Sequence, residues 1–571
     1  MPSDTALKVV LFWHMHQPEY WDAIDEQYQL PWTYLHAIKD YVDMVAILEQ
    51  NSAGCAVINF VPILLEQIDD YARQARRFLI DRVTVNDPLL AALAAEQFPQ
   101  DRDQRLQLIK SSLRANELRL IGRFEHYRNL ADMAGFIDDK PELLLYLGDD
   151  FLADILTWYH LAWLGETVRR DDERVIRLLD KGQQYTHADR LQLFEIITEL
   201  LEGVLPRYRA LWEAGRIELS MTPYAHPMIP LLLDFKSSRE ALPDSPLPEH
   251  AGYPGGEERA HWHVQQGLKS FEHYFGRRPR GCWPAEGGVS DGLIDVLSDY
   301  EIEWIVTGES TLRNSLARSE QHRHEPMEEH LHRAYRIAGH GPVCFFRDDG
   351  LSDLIGFTYS SWHGDDAVSN LVHHLEIIAE ECGDDNNRIV SIVLDGENAW
   401  ESYPENGYHF LSALYERLGN HKKLDLTTFS RCLDHGLQPG ELSSIVAGSW
   451  VYGTFSTWMG DAEKNRGWDL LCEAKLAFDQ AMVSGQLSEE RIRQAQRQLA
   501  ICEGSDWFWW FGDYNPSDSV SDFDQLYRRH LLALYQLIDV EPPAHLHDVI
   551  SRGGGNPEQG GVMRPGQATA N

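Results

Sequence analysis

Seven short apolar segments, spaced along residues 7–398 with helical patterns between them, limit most strongly what this chain can fold into. They are rich in β-branched and aromatic residues and are bounded by Gly, Pro or Asp, which is typical of parallel strands covered on both faces. The predicted strands are residues 7–16, 53–62, 217–226, 281–286, 303–309, 343–348 and 389–398.

Helical patterns alternate with these segments, notably at residues 36–50, 194–214 and 289–299. The alternation predicts an α/β fold, either a βα barrel or a doubly wound open sheet, and it favours the barrel. The working residues of a barrel come from the carboxyl ends of its strands. Six of the seven segments finish on a polar residue, namely His16, His226, Glu286, Glu309, Asp348 and Asn398.

Residues 1–405 contain all of the predicted strands and are expected to form the barrel. Residues 65–205 are too many for a simple crossover, and their patterns predict an inserted helical subdomain. Beyond them, helical patterns dominate residues 406–550, which predicts a helical C-terminal domain. The Gly-rich, polar residues 551–571 are predicted to be disordered.

The formal net charge of −38 makes binding to nucleic acid or to an anionic membrane electrostatically unfavourable. The first residues lack a signal-type segment, and no run of roughly 18 apolar residues occurs. The seven cysteines are scattered without a Cys-x-x-Cys pair, which argues against a disulfide framework and against a thiolate zinc site. We therefore expect a cytoplasmic protein with neither a nucleic-acid nor a membrane partner.

Aromatic residues are abundant, with 17 Trp and 23 Tyr, and several lie beside glycines and acids. Core packing is one interpretation for each of them. Sugar binding is the alternative, because the apolar faces of pyranose rings stack on exposed aromatic rings while neighbouring acids bind the hydroxyl groups.

Glu286 and Asp348 each stand where an apolar run stops, and two such carboxylates are the minimum equipment for cleaving a glycosidic bond. Two structural alternatives stay open. Glu286 could cap the helix that follows near Ser290, and Asp348 could form an ion pair with Arg347.

Two groups of histidines suggest a metal as well as a simpler role. His14 and His16 lie on one face of a predicted strand, where they could bind a metal with His226 or His363, or hydrogen-bond sugar hydroxyls. Residues 322–332 (HRHEPMEEHLH) form a second group, in a highly charged loop without apolar support. We interpret this second group as a solvated surface.

Taken together, five segments resemble the five sequence regions of glycoside hydrolase family 57, in the family's order. They are His14-Met15-His16-Gln17-Pro18, residues 215–227 (GRIELSMTPYAHP), Trp283-Pro284-Ala285-Glu286, residues 346–357 (FRDDGLSDLIGF) and Glu397-Asn398-Ala399-Trp400-Glu401. Further motifs up to residue 510 are similar to the amylopullulanase-like and α-amylase-like branch of that family.

The resemblance implies an incomplete (β/α)7 barrel with a helical domain, which acts on α-glucans with retention of anomeric configuration. It implies Glu286 as the nucleophile and Asp348 as the general acid/base, without a cofactor or a metal. The candidate substrate contacts are His14, His16, Glu218, His226, Trp283, Asp353, Trp400, Trp458 and Trp507.

We therefore predict a retaining α-glucan hydrolase of the α-amylase or amylopullulanase type. Its substrate would be glycogen, starch or maltodextrin, cleaved at α-1,4 bonds, with α-1,6 cleavage left open. The alternatives are a 4-α-glucanotransferase, a metal-dependent carbohydrate deacetylase built on His14, His16 and His226, and a noncatalytic glucan-binding protein. The sequence leaves the oligomeric state open.

Overall fold

The computed structural model describes residues 6–555, and a ten-stranded sheet lies at its centre. The strands are β1 (Leu7–Met15), β2 (Val57–Phe60), β3 (Glu218–Met221), β4 (Gly281–Cys282), β5 (Trp304–Thr307), β6 (Tyr335–Ile337), β7 (Val343–Phe346), β8 (Ile389–Asp395), β9 (Leu424–Thr427) and β10 (Gly440–Leu442). Each of the seven predicted segments contains one of these strands. The predicted α/β fold class is confirmed.

The main path of the sheet runs β8-β1-β2-β3-β4-β5-β7, and all of its neighbouring strands are parallel. Just beyond β7, a parallel bridge from Arg347 to Ser391 of β8 brings the two ends of this path together. The seven strands thereby curl into a (β/α)7 barrel. The other three strands pair outside this ring, β6 with β7, β10 with β6 and β9 with β1.

Alternate residues of the strands fill the interior of the barrel with large side chains. Trp283, Trp304, Phe345 and Phe429 belong to one buried cluster, in which the rings of Trp304 and Phe429 lie 4.7 Å apart. Gly281 leaves room for this packing, because a Cβ atom there would lie 1.9 Å from the Trp304 ring. Residues of the opposite parity point outward and pack against the helices.

Helices surround the barrel and make up most of the remaining chain. Those of eight or more residues are α1 (Val42–Gln50), α2 (Pro62–Asp81), α3 (Arg102–Ser111), α4 (Glu125–Asp139), α5 (Asp149–Trp163), α6 (Glu173–Lys181), α7 (His187–Glu213), α8 (Gly256–Phe275), α9 (Asp291–Ser298), α10 (Glu309–Arg318), α11 (Gly364–Cys382), α12 (Tyr408–Gly419), α13 (Ala462–Ser484), α14 (Glu489–Cys502) and α15 (Ser517–Leu537). Within residues 6–555, no helix has the length and apolar character needed to cross a membrane.

The helices that follow the last barrel strand lie in two stretches of the chain. After β8 the chain forms α12, which packs against the preceding helix α11, and then returns to the sheet as β9 and β10. It becomes helical again in α13, α14 and α15, of which α14 and α15 pack against each other. Of the predicted disordered tail, residues 556–571 lie outside the described residues.

A buried ionic network ties α14 to α8 beside the barrel. Glu503, at the end of α14, accepts hydrogen bonds from Arg259 at 2.7 Å and from Tyr253 at 2.6 Å, and His263 Nε2 lies 2.7 Å from it. Burial alone would raise the pKa of Glu503, but Arg259 and His263 lower it to about 2. The carboxylate therefore stays ionised inside the protein and joins two helices that are distant in the chain.

We expect Glu503→Gln to lower the free energy of unfolding by about 3–5 kcal/mol, because it leaves a buried guanidinium without its counter-ion. Urea denaturation followed by tryptophan fluorescence measures this loss. The matched control is Glu490→Gln, which removes an exposed ion pair with Arg493 on the same helix and should have an effect below about 1 kcal/mol.

The contribution of Glu503 should also depend on pH. Its pKa is lowered from 4.5 to about 2 in the folded chain, so the stabilisation is complete above pH 4.5 and is lost as pH falls towards about 2. A difference between the wild type and Glu503→Gln that stays constant over this pH range would contradict the assignment.

Candidate active site

A cavity of about 380 Å³ opens at the carboxyl ends of the barrel strands. It collects residues from strand ends and from the helices after residue 405, as the barrel geometry predicts. The polar groups in its wall are His14, His16, Gln17, His36, Arg114, Asn116, His226, Glu286, Asp395, Glu397, Asn398, Glu401, Asp506 and Ser519. Such a concentration of carboxyl and imidazole groups makes this cavity the candidate active site.

Glu286 is presented to the cavity by an unusual backbone conformation. It lies four residues after β4 and has a φ of 58°, in the left-handed region that a non-glycine residue adopts rarely. Its Oε1 lies 2.9 Å from Ser505 Oγ, and Trp450 Nε1 donates to its Oε2 at 3.4 Å. Glu286 does not cap the following helix, which was the structural alternative. Ser290 has that role, because its Oγ accepts a hydrogen bond from Leu293 N.

Asp395, the last residue of β8, lines the same cavity. The register of the sheet sets it opposite His14 of β1, and Asn398 donates to its carboxylate at 3.5 Å. Sequence reasoning did not select Asp395. The available signal was its position at the end of a strongly apolar strand, two residues before the segment Glu397-Asn398-Ala399-Trp400-Glu401.

Both carboxyl groups have raised pKa values. Burial, followed by the charge of Asp506, raises the pKa of Glu286 to about 8, and Asp395 adds to this rise. Burial raises the pKa of Asp395 to about 6, against the opposing effects of Asn398 and His16. Two interacting carboxyl groups of this kind hold one proton between them near neutral pH.

Asp348 does not line this cavity. Its Oδ1 accepts a hydrogen bond from Leu351 N at 2.8 Å and so caps the short helix Asp349–Asp353. Its Oδ2 lies 3.0 Å from Nε2 of His332. Burial opposes protonation of that ring, yet Asp348 raises the pKa of His332 to about 9. The carboxylate is thus engaged in a capping and ion-pair role.

Strand alternation explains the position of Asp348. Phe345 points into the barrel, so Arg347 points inward too and Asp348 points outward. Arg347 is buried and binds Asp349 at 2.7 Å and Asp353 at 2.6 Å. Arg347 therefore pairs with these two acids, and not with Asp348 as one alternative from the sequence had it.

A line of hydrogen-bonded groups leads from the barrel interior to Glu286. Nδ1 of His14 lies 2.7 Å from Asn59 Oδ1, and Nε2 of His14 lies 3.1 Å from Nε2 of His226. Nδ1 of His226 lies 2.8 Å from Ser505 Oγ, which in turn contacts Glu286. Burial lowers the pKa of His14 to about 3 and that of His226 well below its usual value, so both rings are neutral.

The direction of this line follows from its inner end. Thr222 donates to Asn59 Oδ1 and Asn59 Nδ2 donates to Ser220, so Oδ1 is an acceptor and His14 Nδ1 carries a proton. His226 Nε2 must then donate to His14, which leaves His226 Nδ1 to accept the hydroxyl proton of Ser505. Ser505 Oγ also lies 2.9 Å from Glu286 Oε1, so the same hydroxyl group connects His226 to the carboxyl group.

A second imidazole, that of His16, faces the cavity beside this line. Its Nε2 lies 2.7 Å from Asp506, and its ring stacks on that of His226 with centroids 3.9 Å apart. His16, His226 and Asp506 each offer an atom within a distance that could hold a metal ion. Both ring nitrogens of His226 already have partners in the protein, which favours a hydrogen-bonded network.

The four predicted tryptophan contacts lie in the core and not in the cavity wall. Trp283, Trp400, Trp458 and Trp507 are all at most 1% exposed. The aromatic wall is formed by other residues, namely Trp32, Trp163, Trp450, Trp509 and Trp510. The helix Asp506–Trp510 turns Trp507 inward, where its Nε1 donates to Ile501 O at 2.8 Å, and presents Trp509 and Trp510 to the cavity.

Of the five remaining predicted substrate contacts, three line the cavity and two do not. His14, His16 and His226 line the cavity, whereas Glu218 and Asp353 do not. Glu218 is buried under the barrel interior, where Trp304 Nε1 donates to it at 2.9 Å and Ser430 also binds it. Glu397 belongs to the fifth of the resembling segments but was not a predicted substrate contact. It lines the cavity and accepts a hydrogen bond from the backbone N–H of His16 at 2.8 Å.

Comparison with solved structures finds this architecture in several enzymes. A GH57 branching enzyme from Thermococcus kodakaraensis matches with a TM-score of 0.56 and 14% identity, over 93% of this chain and 90% of its own. The alpha-amylase AmyC from Thermotoga maritima matches with a TM-score of 0.55 and 13% identity, over 94% and 93%. A 4-alpha-glucanotransferase from Thermococcus litoralis matches with a TM-score of 0.52 and 14% identity, over 93% and 60%.

At these identities, the likeness to solved structures shows a shared fold. A search of curated proteins found no match. A sequence-family model described as glycosyl hydrolase family 57 matches residues 10–443, which extend from within β1 to just beyond β10. Since this match covers most of the chain, the protein belongs to glycosyl hydrolase family 57.

Proposed function

We propose that the protein is a retaining α-glucan hydrolase of the α-amylase or amylopullulanase type, with Glu286 and Asp395 as its two catalytic carboxyl groups. The observation that carries this proposal is the presence of both groups in one aromatic-walled cavity, each with a raised pKa. The solved structures that share the fold include enzymes named as an amylase, a branching enzyme and a glucanotransferase.

In the proposed mechanism, Asp395 protonates the glycosidic oxygen while Glu286 attacks the anomeric carbon. The bond to the leaving sugar breaks, and a covalent glycosyl enzyme forms. Asp395, now ionised, then takes a proton from water, which attacks the anomeric carbon and releases Glu286. Asp395 thereby replaces Asp348 in the role that the sequence resemblance implied.

Substrate binding has to redistribute the shared proton. In the free site burial, followed by the charge of Asp506, favours a protonated Glu286. A sugar hydroxyl that donates to Glu286, together with positive charge developing at the anomeric carbon, favours its ionised form. The proton then belongs to Asp395, beside the glycosidic oxygen, which is where a general acid needs it.

A 4-α-glucanotransferase is the second candidate, and the aromatic wall favours it. Trp509 and Trp510 both line the cavity, and the Trp510 ring stacks on Phe523 with centroids 4.6 Å apart. A rigid aromatic surface of this kind can hold an acceptor sugar against the intermediate in place of water. The same two carboxyl groups would carry out either reaction.

Exchange of the carboxyl groups tests the assignment. With maltoheptaose, we expect Glu286→Gln and Asp395→Asn each to lower kcat by about 10²–10⁴-fold. The matched control is Asp348→Asn, which keeps an acceptor for the helix cap and should change kcat by less than a factor of about 3. Inactive Asp348→Asn with active Asp395→Asn would reverse our choice of acid.

Azide rescue distinguishes the two roles. Azide should react with Glu286→Ala to give a β-glucosyl azide, because direct displacement inverts the α-linked centre. It should react with Asp395→Ala through the covalent intermediate and give an α-glucosyl azide. NMR of the product anomer decides between them, and the opposite pattern would exchange the two roles.

The pKa values of the pair predict a bell-shaped pH dependence of kcat/KM. The active form carries one proton, so activity should fall below about pH 6 as the second carboxyl group is protonated. It should fall above about pH 8 as the shared proton is lost. A profile measured with maltoheptaose that stays flat between pH 5 and 9 (about one unit beyond each limb) would contradict a shared proton.

Product analysis decides between hydrolysis and transfer. The hydrolase should convert maltoheptaose only to shorter products, whereas a transferase makes longer ones as well. If transfer occurs, Trp510→Ala should lower the ratio of transfer to hydrolysis by about 3- to 10-fold, because acceptor stacking is lost. The control is Trp362→Ala, an exposed tryptophan that does not line the cavity.

A further inference from the structure

The charged loop between α10 and β6 brings three potential metal ligands to one point, away from the cavity described above. Nδ1 of His322 lies 2.8 Å from Oε2 of Glu325, and Nε2 of His330 lies 2.9 Å from the same oxygen. The two imidazole rings lie 5.2 Å apart between centroids. Two histidines that are eight positions apart in the chain thus converge on a single carboxylate oxygen.

This arrangement differs from the solvated surface that the sequence pattern indicated. His330 is only 5% exposed, and the His322 side chain is 13% exposed. Glu325 remains at the surface, so the group lies at the edge of the protein with the imidazoles on its inner side. In a solvated surface loop these two imidazoles would be exposed, and here they are packed against one acid.

The hydrogen bonds of His330 leave one of its nitrogens without a proper partner. Its Nδ1 lies 2.5 Å from the hydroxyl of Tyr335, which fixes the orientation of the ring. Its buried Nε2 makes no hydrogen bond, although Glu325 Oε2 is only 2.9 Å away. Close approach without hydrogen-bond alignment is the relation that two ligands of one ion have to each other.

We propose that His322, Glu325 and His330 bind one divalent transition-metal ion, with Zn²⁺ as the preferred ion. Two imidazoles and one carboxylate are a borderline nitrogen and oxygen donor set that suits zinc, with water in the fourth position. Tyr335 acts as the outer partner that orients a ligating histidine. Calcium and magnesium prefer sites made only of oxygen ligands.

Such an ion would anchor the loop on the barrel. His332, two residues after His330, binds Asp348 at the end of β7, and the backbone N–H of Asp348 donates to Ser391 of β8. The loop therefore adjoins the place where the two ends of the barrel path meet. We expect the metal to raise thermal stability without taking part in the reaction at Glu286.

Cobalt binding to the whole chain tests the site. After treatment with a chelator and its removal, the wild type should bind one equivalent of Co²⁺ with the visible absorption of a four-coordinate ion, and Zn²⁺ should displace it. His322→Gln, Glu325→Gln and His330→Gln should each weaken binding by at least about 100-fold. His324→Gln, on the same loop but outside the cluster, should bind as the wild type does.

A second control separates this site from the active-site cavity. His16→Gln alters the other group of potential ligands and should leave Co²⁺ binding unchanged. Loss of binding in His16→Gln but not in His322→Gln would overturn the proposal, as would a wild type that binds no Co²⁺. Should the buried His330 variant fail to fold, His322→Gln and Glu325→Gln still decide the outcome, with circular dichroism as the check of folding.

Zinc should also raise the thermal unfolding midpoint of the wild type and of His324→Gln, but not that of His322→Gln. Activity on maltoheptaose should be equal with and without zinc at a temperature where both forms are folded. An equal shift in all three proteins would indicate binding elsewhere and overturn the assignment.

Discussion

Parallel pairing of β1 with β8 is the constraint on which the candidate active site depends. The two strands pair over their lengths, from Lys8 with Ile389 to His14 with Asp395. Since parallel strands in register end at the same height, side chains from opposite ends of the barrel sequence meet at one rim. The bridge between Arg347 and Ser391 then closes the ring and fixes which side chains of β7 can face the interior.

The candidate active site brings several buried carboxyl groups together in one cavity. Glu286, Asp395 and Glu397 all have raised pKa values because burial disfavours their ionised forms. In contrast, Glu503 is equally buried but has a lowered pKa, because Arg259 binds it. A buried glutamate therefore favours its protonated form in the cavity, at Glu286, and its ionised form between helices α8 and α14, at Glu503.

Several features of the fold and the site could be predicted from local patterns. The strand of Glu286 and the histidines of β1 were recognised because apolar runs that end in polar residues report the rim of a barrel. The choice between Asp348 and Asp395 could not be made that way, since both acids follow an apolar strand. Residue parity along β7 and the helix cap at Asp348 keep that carboxylate out of the cavity wall, whereas Asp395 lines it, and both positions depend on how the neighbouring strands pair.

The aromatic residues show the same limit of prediction from local sequence patterns. A tryptophan in the sequence is equally compatible with a core and with a sugar-binding surface, and the run at Trp507–Trp510 contains both kinds. Which side of this short helix faces the cavity depends on its packing against α15. Composition indicates that aromatic surface is available, but not where it is exposed.

By itself, the sequence determined the strand and helix alternation, the barrel and the family, because these follow from hydrophobic periodicity and from ordered local motifs. Only the tertiary structure decided which acids and which tryptophans line the cavity with Glu286, and whether the histidines near residue 330 converge. Those outcomes depend on distances between residues far apart in the chain or in a folded loop. A local pattern carries no information on such distances until the sheet has closed and the loops have packed.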